Sequence, residues 1–530
     1  MNQQKLRQLT RNSAFLWKSS GVLAALLIVV GAGLSFLNAG RMDTYERVLS
    51  TPRQIDEFHD QLEGVRNVGV APEALALALR ESLESAAAFH EKLLDVSYLL
   101  YYFAPEKPLD LPRVEGLSTN QWAIAKALVA ACAEPDDEAA PRPLENLAAG
   151  DAAPIDANFA LALAWENRDD DPASITALNR EIDLHDSRHA RQRLVDAYLD
   201  LKKYAALEAL AADPDYEEFI TPYVLRDIAL DRMDWPMLLK THFPAMYEGT
   251  DPAMVLLAAL SGLVWAVVLI RFNGSARGVG WFVVPALALG ALSAHATLLV
   301  VFWLEHQVGF GFGENLVQQL IYCLGIGLRE EGLKLLFFVP LIPLLARRAD
   351  LEILTVAGLV GLGFALEENI NYFEASAGLS AVARFATANF LHVALTAMCG
   401  LTLTRAFVHR GEDVQHAAVT FTLAVAVHGL YDAFLMVWVL ADYSWLTYTV
   451  FVLMGYQYFG WLRHLREEWK DPFSVTAVFT YGVILVTGFS FALHAWNAGP
   501  FIAFQAVVGE VIGVAIILIL FYREIPETLD

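Results

Sequence analysis

The sequence predicts an all-α protein: a polytopic bundle of about ten membrane-spanning helices, with an extracytoplasmic α-helical domain inserted after the first span. Three observations predict it. Of 530 residues, 56% are hydrophobic and the mean hydropathy is +0.41, which is too apolar for an ordinary water-soluble enzyme. The apolar residues gather in runs about as long as the ~20 residues that cross ~30 Å of hydrocarbon. Charge is unevenly shared: the chain has 37 Lys and Arg against 60 Asp and Glu, and residues 41–250 alone hold 20 of the basic and 39 of the acidic side chains. The surplus acid therefore sits in the one long stretch without apolar runs, and it argues against a nucleic-acid partner, which needs basic surface.

The elements follow in order. Residues 1–37 read as a cytoplasmic N-terminus and a first anchor, because an apolar run at about 20–37 follows Lys5, Arg7, Arg11 and Lys18. The run is longer than the roughly 7–15 residues of a signal peptide's apolar core, and a cut after Ala39 would put Leu37 where a small residue is wanted, so the anchor reads as uncleaved. Residues 38–252 form the acidic helical domain, and 253–530 a membrane domain of about nine spans, at roughly 253–271, 279–303, 316–346, 352–373, 384–408, 416–440, 443–462, 474–495 and 500–521. With the N-terminus inside, the inner loops carry Arg271, Arg277, Arg347, Arg348, Arg405, Arg410, Arg463, Arg466 and Lys470, and the tail Arg523, whereas the outer loops hold only Arg384 at a boundary. That bias predicts both termini in the cytoplasm.

In the outer domain, Ala, Leu and Tyr recur at three- and four-residue spacing, as in Val195–Leu199 and Tyr204–Leu210, with Asp213-Pro214 as a stop. Polar turns at Asp171, Lys203 and Asp234 are spaced by about 31–32 residues, a pattern similar to degenerate tetratricopeptide-type helical hairpins over 160–245. Such arrays present peptide-binding faces; a packed helical cap without a ligand fits the pattern as well. The Pro-interrupted stretch 133–157 reads as a solvated linker. Three scattered cysteines, Cys132, Cys323 and Cys399, make no disulfide framework and no zinc spacing.

Charged groups at mid-bilayer cost a few kcal/mol or more, so inside apolar spans they point to function. They concentrate between 316 and 440. Glu330, Glu331 and Lys334 lie about 14 residues into their helix, roughly 21 Å at ~1.5 Å per residue. Lys334 is placed to neutralise either carboxylate. The next helix carries Gly361 and Gly363, which permit close packing, then Phe364 and Glu368 on one face, with Asn369 and Tyr372 beyond; Glu367 points elsewhere and reads as solvated. The following helix supplies Asn389, His392 and Thr396. On the one after it, Asp432 is spaced to accept from His428 and orient its ring. Counting along alternating helices puts these groups in the middle third of the bilayer or just outward of it, so they can share one polar pocket. His494 reads as a snorkelling residue at a helix end, and Glu510 as isolated.

Glu-Glu-x-x-Lys, Phe-x-x-x-Glu-Asn, an intramembrane His and His-x-x-x-Asp, on successive helices over roughly 316–440, resemble the PrsW family of intramembrane proteases, relatives of the type II CAAX prenyl proteases. The resemblance rests on Glu330, Glu331, Lys334, Phe364, Glu368, Asn369, His392, His428 and Asp432. It implies a plasma-membrane (bacterial inner-membrane) peptidase acting on membrane-anchored protein substrates. Hydrolysis needs an activated water and a positive group for the oxyanion. Glu330 or Glu331 is then the expected base, and His392 and His428 polarise the carbonyl or orient the water. The preferred mechanism needs no metal; a zinc site is the alternative, with His392, His428 and Glu331 or Glu368 as ligands. Two other classes compete. A proton-coupled transporter also buries Glu, His and Asp, although no inverted repeat is visible. A non-catalytic scaffold or sensor would use the outer domain to bind a peptide or protein partner.

Overall fold

The structure is a computed structural model and describes residues 12–49, 68–70, 76, 79–80, 82–84, 88–105, 113–134, 137–272, 276–465 and 474–524. The topology arguments from Lys5, Arg7, Arg11, Arg466 and Lys470 fall outside those residues. The chain divides into two compact units, one of Met1–Met42 with Gly249–Asp530 and one of Asp43–Glu248. Helix α1, Ser13–Leu49, carries the anchor in its first part, Ser13–Ser35.

Among the described residues of Asp43–Glu248, the regular structure is helical apart from a three-residue parallel pair, β1 (Val68–Val70) with β2 (Phe103–Pro105). Its helices are α2 (Phe89–Tyr102), α3 (Thr119–Ala133), α4 (Arg142–Ala148), α5 (Ala157–Glu166), α6 (Asp171–His185), α7 (Arg188–Asp200), α8 (Tyr204–Ala211), α9 (Pro222–Arg232) and α10 (Trp235–Met246). From α5 onward, each helix packs on the next. The turns expected at Asp171 and Asp234 are helix starts: Asp170 accepts from the Ala173 amide and Asp234 from the Met237 amide, each followed by a proline in the first turn. Helix α5 lacks such a cap. Its entry residue Asp156 is left-handed, and the carboxylate of Glu181, reaching over from α6, accepts from the amides of Asp156 at 2.7 Å and Asn158 at 3.1 Å. Glu181 is buried, and burial pushes its pKa up against the pull of those amides.

The stretch 133–157 is not an open linker. Its residues Arg142–Ala148 form α4, which buries Leu144 and Ala148 in the core of this unit with Leu128, Phe159 and Leu163. Its prolines were misleading because Pro141 and Pro143 stand at the start of a helix, where the missing N–H costs nothing.

The other unit contains α11 (Pro252–Phe272), α12 (Val283–Trp303), α13 (Leu316–Phe338), α14 (Asp350–Ala375), α15 (Ala381–Ala386), α16 (Ala388–Val408), α17 (Val414–Met436), α18 (Leu446–Leu465), α19 (Val475–Ala498), α20 (Pro500–Gly513) and α21 (Ala515–Glu524). Seven helical segments of the described residues are long and apolar enough to cross a membrane, or eight if α20 and α21, bent by 53°, form one broken span. This makes an integral membrane protein, with fewer such spans than the expected ten. The difference lies in α13 and α18, which are absent from that set. Helix α13 is 23 residues long but carries Arg329, Glu330, Glu331 and Lys334, so its own chemistry lowers its apolarity.

Helices α14 and α16 form the buried centre, with α11 and α12 against α14, α13 against α12 and α17, and α17 against α16. Glycine sets the closest approaches. A side chain at Gly361 of α14 would collide with the His392 carbonyl of α16, and one at Gly363 with the Leu287 carbonyl of α12. On the opposite side, a Cβ at Gly327 of α13 would stand 2.6 Å from the Val425 oxygen, and one at Gly429 of α17 would stand 2.8 Å from the Leu324 Cα. Backbones therefore touch beside His392 and His428, as small residues permit in lipid.

Candidate active site in the membrane core

Helix α13 presents Glu330, Glu331 and Lys334 on its inward face, the last two fully buried. The two carboxylates are adjacent, so about 100° of helix rotation separates them and each meets different neighbours. Glu331 Oε1 receives both Lys334 Nζ at 2.6 Å and His428 Nδ1 at 2.8 Å. Glu330 Oε2 makes no hydrogen bond although buried, and stands 3.5 Å from His428 Nε2, 3.9 Å from His392 Nδ1 and 3.7 Å from Lys334 Nζ. The imidazoles of His392 and His428 meet edge to face, 5.2 Å between centroids.

Each imidazole turns one nitrogen toward Glu330 and has the other held by a carboxylate. For His428 that partner is Glu331. For His392 it is Glu368, whose Oε2 lies 3.0 Å from Nε2. Asp432, expected to orient His428, is 3.6 Å from Nε2, beyond hydrogen-bond length. Phe364 packs its ring 5.1 Å from that of His392 and lies 4.3 Å beneath the Lys334 ammonium, a cation–π contact. Lys334 also bridges to His392 Nδ1 at 2.8 Å.

Sequence reading missed Arg384. Carried by α15, it reaches Glu368 Oε2 through Nη2 and Asn369 Oδ1 through Nε, both at 2.6 Å, and lies 3.7 Å over the Tyr372 ring. Asn369 donates to Asn389, which donates to Ser261 of α11. An unbroken polar chain thus runs from Ser261 through Asn389, Asn369, Arg384, Glu368, His392, Lys334 and Glu331 to His428. The signal available was Arg384 itself, the lone basic residue at a boundary that the charge bias predicts to be outer.

Three other residues differ from expectation. Glu367 is buried rather than solvated and pairs with His295 of α12 at 3.2 Å. His494 is buried rather than snorkelling. Glu510 accepts the Val382 amide of α15 at 3.3 Å. The three cysteines are free and buried.

One oxygen or nitrogen each from Glu330, His392 and His428 falls within 4.8 Å of the others, a spacing that could hold a metal ion. The carboxylate in that group is Glu330, in place of the Glu331 or Glu368 offered by the sequence, because those two hold the far nitrogens of the rings. Two imidazoles and one carboxylate suit zinc, and the orphaned Glu330 Oε2 and the carboxylate behind each ring match the support that metal-binding histidines use. Lys334 would have to release His392 Nδ1 and rest on Glu331 alone.

Residues 278–458 match the family model described as PrsW family intramembrane metalloprotease. The membrane core is PrsW-like. The match spans α12 through α17 and most of α18, includes every residue of the polar cluster except Ser261, and bears out the resemblance read from the motifs. It supports an intramembrane protease. No curated protein and no solved structure matches the chain.

Proposed function

We propose that the PrsW-like core hydrolyses peptide bonds of membrane-anchored protein substrates, using groups contributed by α13, α14, α16 and α17. The observation that carries this reading is the environment of Glu330: a buried carboxylate oxygen with no hydrogen bond, facing two imidazoles that are each fixed from behind. A water placed there can give its proton to Glu330 and attack a carbonyl. His392 and His428 are the groups that orient the water and polarise the carbonyl, and Lys334 is the cation nearest the developing charge. Glu331 serves as the fixed counter-ion of Lys334 and His428, and Glu368 that of His392. Phe364, Asn369, Asn389 and Asp432 support the arrangement.

Zinc is the candidate ion. Held by Glu330, His392 and His428, it would supply Lewis-acid polarisation and a more acidic water. We further propose that α13 and α18 also cross a plasma membrane, that both termini face the cytoplasm, and that residues 38–252 form an extracytoplasmic domain able to receive a peptide or protein. A transporter would use the same buried groups, but the family match favours peptide hydrolysis.

The test expresses wild type, Glu330→Ala, Glu331→Ala, His392→Ala and His428→Ala at equal membrane levels and compares fragments across the membrane proteome. Fragments present with wild type and missing from the Glu330, His392 and His428 variants are expected. Identical fragments from all five would end the protease reading. Metal analysis of the purified protein decides between the two forms of the site: about one zinc per chain, lost in His392→Ala and His428→Ala, is the outcome for a metal enzyme.

A further inference from the structure

Helix α10, the last of the acidic domain, has an outward face unlike those of α6 and α7 in the same unit. Trp235, Leu239, Phe243 and Tyr247, each four residues from the last, are 47%, 60%, 43% and 38% exposed. Four-residue steps place them in one stripe along the helix. The opposite face, with Leu238, Thr241, His242 and Ala245, is buried. The only charged residue within α10 is Lys240, which is exposed beside the stripe. On α6 and α7 the exposed positions are instead Pro172, Thr176, Asn179, Arg180, Asp183, Arg188, Gln192 and Asp200. Four large apolar side chains in a row are therefore not the ordinary surface of this domain, where a solvated helix is polar.

Chain connectivity indicates what covers them. Helix α10 ends at Met246, and the apolar helix α11 starts at Pro252. At most ~3.3–3.6 Å per residue, the connection can extend only about 20 Å. The C-terminal end of the stripe, Phe243 and Tyr247, therefore stays within reach of the start of α11, and Trp235 lies ~18 Å further along α10 at ~1.5 Å per residue. Trp and Tyr are the side chains that favour that surface, and a neighbouring Lys can lay its stem on apolar groups while its ammonium meets phosphate.

We propose that α10 is an interfacial helix that rests on the lipid headgroup region, with Trp235, Leu239, Phe243 and Tyr247 inserted toward the acyl boundary and Lys240 directed to anionic headgroups. The inference needs only an integral membrane protein and stands whether or not the core is a peptidase.

The test uses the full chain reconstituted in vesicles of phosphatidylethanolamine and phosphatidylglycerol. The native cysteines are buried, so Leu239→Cys, Phe243→Cys and, as a control, Arg180→Cys can each take a fluorescent label. Quenching by a headgroup-proximal doxyl lipid should be at least about twofold stronger at 239 and 243 than at 180, the label sitting within the ~5–10 Å interfacial layer. Aqueous iodide should show the reverse order. Equal lipid quenching at all three sites overturns the proposal. So does protection from iodide at 239 and 243 without lipid quenching, which would assign this face to a protein instead.

Discussion

Glu330 and Glu331 are neighbours in sequence and opposites in surroundings. Glu331 holds Lys334 and His428 at hydrogen-bond distance through Oε1, whereas Glu330 Oε2 faces both imidazoles and Lys334 at 3.5–3.9 Å without a hydrogen bond. Removing one partner of a buried ion pair leaves the other charge stranded and costs about 3–5 kcal/mol. Glu331→Gln is therefore expected to lower the thermal unfolding midpoint of the purified protein markedly, and Glu330→Gln to leave it near wild type while abolishing fragment production. In the proposed site Arg384 would act through Glu368, which it holds at 2.6 Å. Replacing a group that orients such a ligand or catalytic residue typically costs 10–100-fold, so Arg384→Gln should cut the fragment rate by roughly that factor. Arg384→Lys should recover only part, because an ammonium cannot serve Glu368 and Asn369 in the fork geometry of a guanidinium; full activity in the Gln variant would remove Arg384 from the site. In the acidic domain, Glu181 has a raised pKa in the fold. The protonated form is thus favoured by folding, and its contribution is fully present below the usual carboxylate range and lost as pH rises through the raised value. Melting curves of wild type and Glu181→Gln should show wild type losing ground to the variant from mildly acidic to neutral pH.

At the scale of elements, the site depends on two glycine contacts that bring backbones together. Gly361 sets α14 against α16 at His392, and Gly327 with Gly429 sets α13 against α17 at His428. A branched side chain in such a contact costs typically 1–3 kcal/mol, and more where backbone must move. Gly361→Val and Gly429→Val should each separate a carboxylate from its imidazole. Fragment production should fall at least about tenfold at equal protein level, one factor of ten being ~1.4 kcal/mol; unchanged cleavage in both would show that the packing does not hold the site. The elements also explain which sequence signals misled. Proline at 141 and 143 looked like a break and is a helix start. The carboxylate of Glu367 near a helix end looked solvated and is covered by His295, a residue that lies in an earlier helix and has no local signal.

For the whole molecule, a membrane protein with an acidic helical insertion, most residues of the polar cluster and the family that they resemble were legible along the chain. The reason is that lipid imposes a strong one-dimensional code: a charge within an apolar run is costly enough to be conspicuous. The polar turns at Asp171 and Asp234 were legible in the same way, and the structure shows them as the starts of α6 and α10. The division of labour comes from how the helices pack. Which nitrogen of each imidazole faces Glu330, that Glu331 rather than Asp432 holds His428, and that Arg384 joins the polar cluster all depend on rotations and distances between helices far apart in the chain. Spacing along one helix fixes the face on which a side chain lies, but the partner across the gap is set by how closely neighbouring backbones pack.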